Sequence, residues 1–300
     1  MGPLSRILIA TASFHLRHSP MPLARWRLVK HFLPALRKYG KNMGERVVQT
    51  RYGFQYKADL GDWLGQYVYL TGVYEPPTAR VIAELLEPGD TFIDVGANSG
   101  FFTLLASRRV GEAGRVLSFE PVPSMRKRLL ENISLNDMSN IRVHDVAISN
   151  AESLLPLFEG PEGHKGTSSL RHLENSPATI EVKTLPLDTF GEVLPAVKLV
   201  KIDVEGAEHL VLEGMTNIFD RHHPYMVIEI TDEYLNAFGH TAIQLANHLT
   251  GRGYRMYAIR SEGLVPMQAA QAADDNQFNA LFAYMAVPEN LLAKQNGTHA

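Results

Sequence analysis

The chain has 300 residues, 45% hydrophobic and 20% charged, which suits an ordinary globular chain of one large domain, or one plus an extension, rather than a disordered one. It contains no cysteine, which excludes disulfides, thiolate metal sites and a cysteine nucleophile. The net charge of −3 is unevenly spread: residues 1–50 hold nine Lys/Arg against Glu45 alone, a balance of +8, so residues 51–300 carry −11. Residues 1–46 therefore form a basic extension on an acidic core. Leu23, Trp26, Leu28, Val29, Phe32, Leu33 and Leu36 alternate with the bases and predict an amphipathic helix up to Pro34. Packing of that helix on the core is the favoured expectation. The other is contact with something anionic, such as a membrane surface, a phosphorylated glycan or a nucleotide-linked acceptor. No apolar run approaches the ~20 residues of a membrane span, and residues 7–10 are too short for a signal-peptide core. A cytoplasmic protein, peripheral to the membrane at most, is the simplest expectation.

Val47 to Ala58 has strand-like alternation, and Pro77 to Glu87 reads as a helix closed by Pro88-Gly89. Thr91 to Gly100 carries the most information. Phe92 and Ile93 suit a buried parallel strand, Asp94 follows, and Gly96 and Gly100 bracket a turn into the apolar run Phe101–Ala106. Asn98 holds the middle position, where its tolerance of positive φ substitutes for a glycine. The spacing does not match the dinucleotide fingerprint. Asp94 would repel a pyrophosphate and suits a positively charged ligand, such as the ammonium and sulfonium end of S-adenosyl-L-methionine. A second strand, Arg115 to Phe119, ends at Glu120, 26 residues after Asp94. An acid there can grip a ribose diol. Pro123 opens a helix whose Met125, Leu129, Leu130 and Ile133 face the sheet.

A third strand, Ile141 to Ala147, puts Asp145 and Val146 where an adenine would lie, although a simple turn acid is an equal reading of Asp145. Residues 153–158 and 179–185 suit strands that extend the core, and Glu159 to Ser176 between them reads as a loop near the site. A fourth strand, Val197 to Ile202, ends in Asp203-Val-Glu-Gly-Ala-Glu208. Three carboxylates in six residues repel one another and imply work to do. A fifth strand, Tyr225 to Ile230, carries Glu229 near its end. Thr241 to Gln244 is a capping box, and Tyr254–Ile259 with Asn279–Met285 predict a closing antiparallel pair. Ligands of such sheets bind beyond the carboxyl ends of the strands, where all of these acids would gather.

Tyr74-Glu75, Phe92 to Gly100, Phe119-Glu-Pro121, Leu187-Asp188 and Lys201 to Glu208, in this order and spacing, resemble the FkbM-type methyltransferases over roughly residues 70–230. The resemblance implies an α/β fold: a doubly wound, mostly parallel seven-stranded sheet of the Rossmann-like class I methyltransferase kind, here with an N-terminal helical extension. Residues 1–46 would be the extension, 47–288 the methyltransferase domain and 289–300 a flexible tail. The implied donor is S-adenosyl-L-methionine. The implied activity is O-methylation of a hydroxyl on a sugar, glycolipid, polysaccharide or natural-product acceptor. The alternatives are another acceptor class (protein, lipid or nucleic acid) and a non-catalytic cofactor-binding relative. By resemblance the cofactor positions fall on Asp94, Gly96, Asn98, Gly100, Glu120 and Asp145; Glu75 matches the acid that precedes the first core helix and is a further cofactor candidate, and Val146 joins them from its place beside Asp145.

Asp203 and Glu205 are the expected catalytic pair, as base for the acceptor hydroxyl, with a hold on the donor's ammonium as the competing role of Asp203. His164 and His172 are alternative bases. No metal site is assigned, with Asp203 and Glu229 as an alternative Mg²⁺ pair. A nucleic-acid methyltransferase would use the basic extension, but the absence of an Asn-Pro-Pro-Tyr block after the fourth strand disfavours N-methylation of a base. No Gly-x-Ser-x-Gly elbow or Walker loop appears, so hydrolase and ATPase readings have no support.

Overall fold

The computed structural model describes residues 3–18, 22–158, 160, 168–170, 179–191, 194 and 196–293. His164 and His172, and most of the predicted loop from Glu159 to Ser176, lie outside the described residues. The strands in chain order are β1 (Glu45–Gln49), β2 (Gln55–Asp59), β3 (Thr91–Val95), β4 (Arg115–Phe119), β5 (Ile141–His144), β6 (Ala147–Ile148), β7 (Ser153–Phe158), β8 (Thr179–Leu185), β9 (Val197–Ile202), β10 (Tyr225–Thr231), β11 (Arg255–Arg260), β12 (Gly263–Met267) and β13 (Gln277–Ala283). The helices are α1 (Pro3–His18), α2 (Pro22–Tyr39), α3 (Trp63–Thr71), α4 (Pro76–Leu85), α5 (Phe101–Val110), α6 (Pro123–Ser134), α7 (Asp188–Gly191), α8 (Glu208–Glu213), α9 (Thr216–His222), α10 (Asp232–Asn236) and α11 (Ala242–Thr250).

The central sheet runs β12-β11-β13-β10-β9-β3-β4-β5. Strands β10, β9, β3, β4 and β5 are parallel, and β13, β11 and β12 close the sheet antiparallel. This is the doubly wound, mostly parallel arrangement that the resemblance implies, with eight strands instead of seven. The extra strand is β12, which turns back on β11 through Gly263. Every residue of β3 is buried, as a strand covered on both faces requires. One face packs Val81, Ile82, Leu104 and Leu105 of α4 and α5. The other packs Val211, Leu212, Ile218 and Leu245 of α8, α9 and α11. The predicted capping box at Thr241 is present, with both reciprocal bonds made.

Three expectations need correcting. The extension is not one helix stopped at Pro34. It is two helices, and α2 runs through Pro34 to Tyr39. Its apolar stripe overrides the break, because Val29, Leu33 and Leu36, with Ile9 and Leu16 of α1, bury themselves in the core cluster that also holds Leu64 and Val68 of α3. Arg51 fastens α1 from the core side by donating to the Leu16 carbonyl at 2.7 Å. Residues 153–158 and 179–185 do not extend the central sheet. They form a separate three-stranded sheet, β6-β8-β7, because the chain leaves the central sheet after His144, bends at Val146 and pairs Ala147 with Thr184, which also breaks the predicted strand Ile141 to Ala147 in two. The start of the predicted tail belongs to the fold, since Leu291 is fully buried and Leu292 bridges to Leu264. No described helix is long and apolar enough to cross a membrane.

Candidate active site

The strand order reverses between β3 and β9, since the chain runs from β3 outward through β4 to β5 and then returns to β9 and β10. Ligands of such sheets bind at this reversal. The loops after β3 and β9 meet there. Asp203 N–H donates to the Val95 carbonyl at 3.0 Å. A Cβ on Gly96 would lie 1.9 Å from the Asp203 carbonyl oxygen, and Gly96 has φ +82°. Only glycine allows this nesting.

Between these loops opens a cleft of about 660 Å³, measured out to open solvent. Of the residues singled out in the sequence, Gly96, Asn98, Glu120, Val146, Asp203 and Glu205 line it. Phe119, Val122, Ile148 and Leu157 supply apolar walls, and Ser168 and Leu170 bring the described part of the 159–176 loop to its edge. The other predicted residues stand off the cleft wall. Asp94 is buried beneath the loop, Gly100 is the N-cap of α5 and Glu75 the N-cap of α4. Asp145 is exposed just after β5.

At one end of the cleft Glu120 holds the β3 loop. Its Oε2 accepts from Asn98 N–H at 2.7 Å, and its Oε1 accepts from Val122 N–H at 2.8 Å. Asn98 has φ 52°, the positive φ its side chain tolerates. Burial pushes the Glu120 carboxyl up to about 7, although both amides and Arg126 pull the other way.

The other end is crowded with acid. Lys201, 2% exposed, donates to Asp203 Oδ2 at 2.8 Å and lies over the Phe102 ring at 4.8 Å from its centroid. Burial works to raise the Asp203 carboxyl, but the Lys201 ammonium outweighs it and holds Asp203 below the usual range. Glu229 goes the opposite way. Burial, then the charge of Asp203, push it well above the ordinary value. Asp203, Glu205 and Glu229 place carboxylate oxygens within 4.8 Å of one another, a spacing that suits a divalent cation as well as a shared proton. Asp94 accepts from Thr103 Oγ1 at 2.6 Å, while its Oδ1 is buried without a hydrogen-bond partner.

Sequence reasoning passed over several members of this end. Lys201 sits inside the quoted block and is legible there as a cation two residues before Asp203. Asn279 and Gln277, whose amides donate to Glu75 at 3.0 Å and Glu229 at 2.8 Å, come from β13. They are 204 and 48 residues from their partners, and no local pattern marks them. Ser169, whose hydroxyl donates to the Glu205 carbonyl at 2.7 Å, is equally silent in sequence.

Comparison with known proteins gives the family. Residues 94–256 match the family model described as the methyltransferase FkbM domain. That span is more than half of the chain and holds both loops of the cleft. The fold and the site thus define a class I methyltransferase, and the chain belongs to the FkbM methyltransferase domain family. It is 29% identical over 179 residues to Methyltransferase 1 of Beauveria bassiana, covering 48% of this chain and 71% of the relative. It is 30% identical over 159 residues to the hexuronic acid methyltransferase AglP of Haloferax volcanii, covering 52% of this chain and 62% of the relative. Among solved structures, the FkbM methyltransferase of Methylobacillus flagellatus KT superposes with a TM-score of 0.44 at 15% identity, covering 85% of this chain and 60% of that one. The chain thus spans less than two thirds of the archaeal relative and of the solved chain.

Proposed function

We propose that the protein transfers a methyl group from S-adenosyl-L-methionine to a hydroxyl of a sugar, glycolipid, polysaccharide or natural-product acceptor. The observation that carries this is the two-ended cleft. It has one buried carboxylate, Glu120, at one end, apolar walls between, and a carboxylate cluster at the other. That donor set fits a ligand with a diol, a flat apolar base and a cationic end. When bound, S-adenosyl-L-methionine supplies an electrophilic methyl group on a sulfonium.

The chain's own residues do the rest. Glu120 keeps acceptor capacity on both oxygens beyond the amides it holds, and takes the ribose hydroxyls. Val146, Phe119 and Ile148 enclose the base and exclude water. The negative cluster favours the sulfonium and ammonium by opposite charge. Asp203 is held ionised by Lys201, which lowers its proton affinity and makes it a poor base. Its role is then to hold the donor's positive end. Glu205 lines the cleft beside it and takes the proton of the acceptor hydroxyl. Glu75 and Asp94 stand behind this wall and keep it negative.

A sugar acceptor is supported by the Haloferax volcanii relative named for hexuronic acid. Contact of the basic N-terminal extension with an anionic acceptor or surface belongs to the same reading, although Arg17 already donates to the Tyr69 carbonyl and Arg37 lies over the Trp63 ring. Calorimetry with S-adenosylhomocysteine should show one site, and no heat would end the donor reading. Mass spectrometry of glycans and lipids from cells carrying the wild type or Glu205→Gln should show a methylated species lost with the variant. Full methylation by Glu205→Gln would remove Glu205 from catalysis.

A further inference from the structure

The wall that carries Asp203 and Glu205 has an unusual backbone. Glu205 adopts φ 56° and Gly206 φ 109°, left-handed conformations in succession. An L side chain is strained at the first, and a Cβ at the second would meet the Tyr234 carbonyl oxygen at 2.6 Å. Such a loop persists only where its surroundings over-determine it. Glu208, 2% exposed, does this. Its Oε1 accepts from Gly206 N–H at 3.0 Å and from Val204 N–H at 3.3 Å, so one oxygen gathers the amides on both sides of Glu205. Ser169 fastens Glu205 itself by donating to its carbonyl. The Glu208 side chain does not line the cleft, whereas Asp203, Val204, Glu205 and Ala207 all do. Its other oxygen, Oε2, is buried and accepts nothing.

The geometry points to Glu208 as a positioning residue: by clasping the Val204 and Gly206 amides with one carboxylate oxygen, it sets the strained turn that presents Asp203 and Glu205 to the donor. It touches neither the donor nor the acceptor and acts through the backbone of its neighbours. This rests on the donor reading above and adds a residue to it.

The chemistry separates three variants. Glu208→Gln keeps an oxygen that can accept both amides, and its NH₂ replaces an oxygen that accepts nothing. Glu208→Asp retains the charge but is one methylene shorter and cannot span both amides. Glu208→Ala removes the clasp. Leu212→Ala, one turn further along α8 and buried in the core, destabilises the same helix without touching the turn. The probe is S-adenosylhomocysteine, with affinity read by calorimetry and folding by thermal melting on the full chain. Glu208→Gln should bind within about threefold of wild type, and Glu208→Asp and Glu208→Ala tenfold or more weakly. Leu212→Ala should melt earlier with affinity kept. Wild-type affinity in folded Glu208→Asp overturns the proposal, as does a loss in Leu212→Ala equal to that in Glu208→Asp. If Glu208→Ala does not fold, the Gln and Asp variants still decide. A wild type that gives no heat counts against the donor reading itself, a result distinct from a wild type that binds and variants that bind equally.

Discussion

Glu120 shows how one residue serves structure and chemistry together. Its two oxygens hold the backbone at Asn98 and Val122, and the same carboxylate faces the cleft. Burial pushes it up to about 7 from 4.5. The folded state therefore binds this proton more tightly than the unfolded chain does. The group favours the fold at low pH, and that contribution, about 3 kcal/mol, is lost as pH rises from 4.5 through about 7. Ligand hydroxyls need the ionised form, so binding runs the other way. From pH 8 to pH 6 the ionised fraction falls roughly tenfold, and S-adenosylhomocysteine should bind about tenfold more weakly. Glu208 is also pushed up to about 7 by burial, so the measurement belongs in the Glu208→Gln background. Equal affinity at the two pH values would remove the Glu120 carboxylate from the ligand contact. Asp94, Glu120, Asp203 and Glu205 were legible in sequence because each follows a short apolar run. Asn279, Gln277 and Ser169 were not, because their partners are distant in the chain and their residue types are common on any surface.

At the scale of elements, the site is made by two strand–turn–helix units, β3 to α5 and β9 to α8, whose turns interlock. Both turns were readable from glycine and acid spacing. Their contact was not, because 107 residues separate Gly96 from Asp203 and nothing local sets the distance between them. Gly96→Ala tests the interlock. The left-handed φ alone costs about 1–2 kcal/mol, and the new Cβ would collide with the Asp203 carbonyl, so the loops must part. The variant should melt several degrees lower and lose measurable S-adenosylhomocysteine binding. An unchanged melting curve with binding kept would show that the loops are free to separate. The predicted strands at 153–158 and 179–185 exist as elements but left the main sheet. Strand propensity reports that a segment is extended, whereas its partner is chosen by where the preceding chain turns.

For the whole molecule, the FkbM-matched segment from 94 to 256 is not a self-sufficient core. Leu36 of α2 is fully buried in the cluster that also holds Leu104 of α5 and Leu281 of β13. Leu36→Ala should cost about 2–5 kcal/mol and lower the melting temperature on the order of 5–10 °C. An unchanged melting temperature would mean that the extension contributes no core. The periodicity of residues 23–36 was visible in sequence, and so was the excess of bases. That Pro34 would be carried inside a helix was not, because the stop signal is local whereas burial of Val29, Leu33 and Leu36 is a tertiary gain.

The sequence by itself determined the parallel strands β3, β4, β9 and β10 with the helices that follow β3 and β4, the two glycine-acid turns and the family of the enzyme, since each depends on residues close together in the chain. Only the tertiary structure decided which acid is pushed up and which is held down, which amides from β13 support the acidic wall, and that one oxygen of Glu208 clasps both flanks of Glu205. Those outcomes depend on burial and on distances across the sheet, quantities that exist only once the chain has folded.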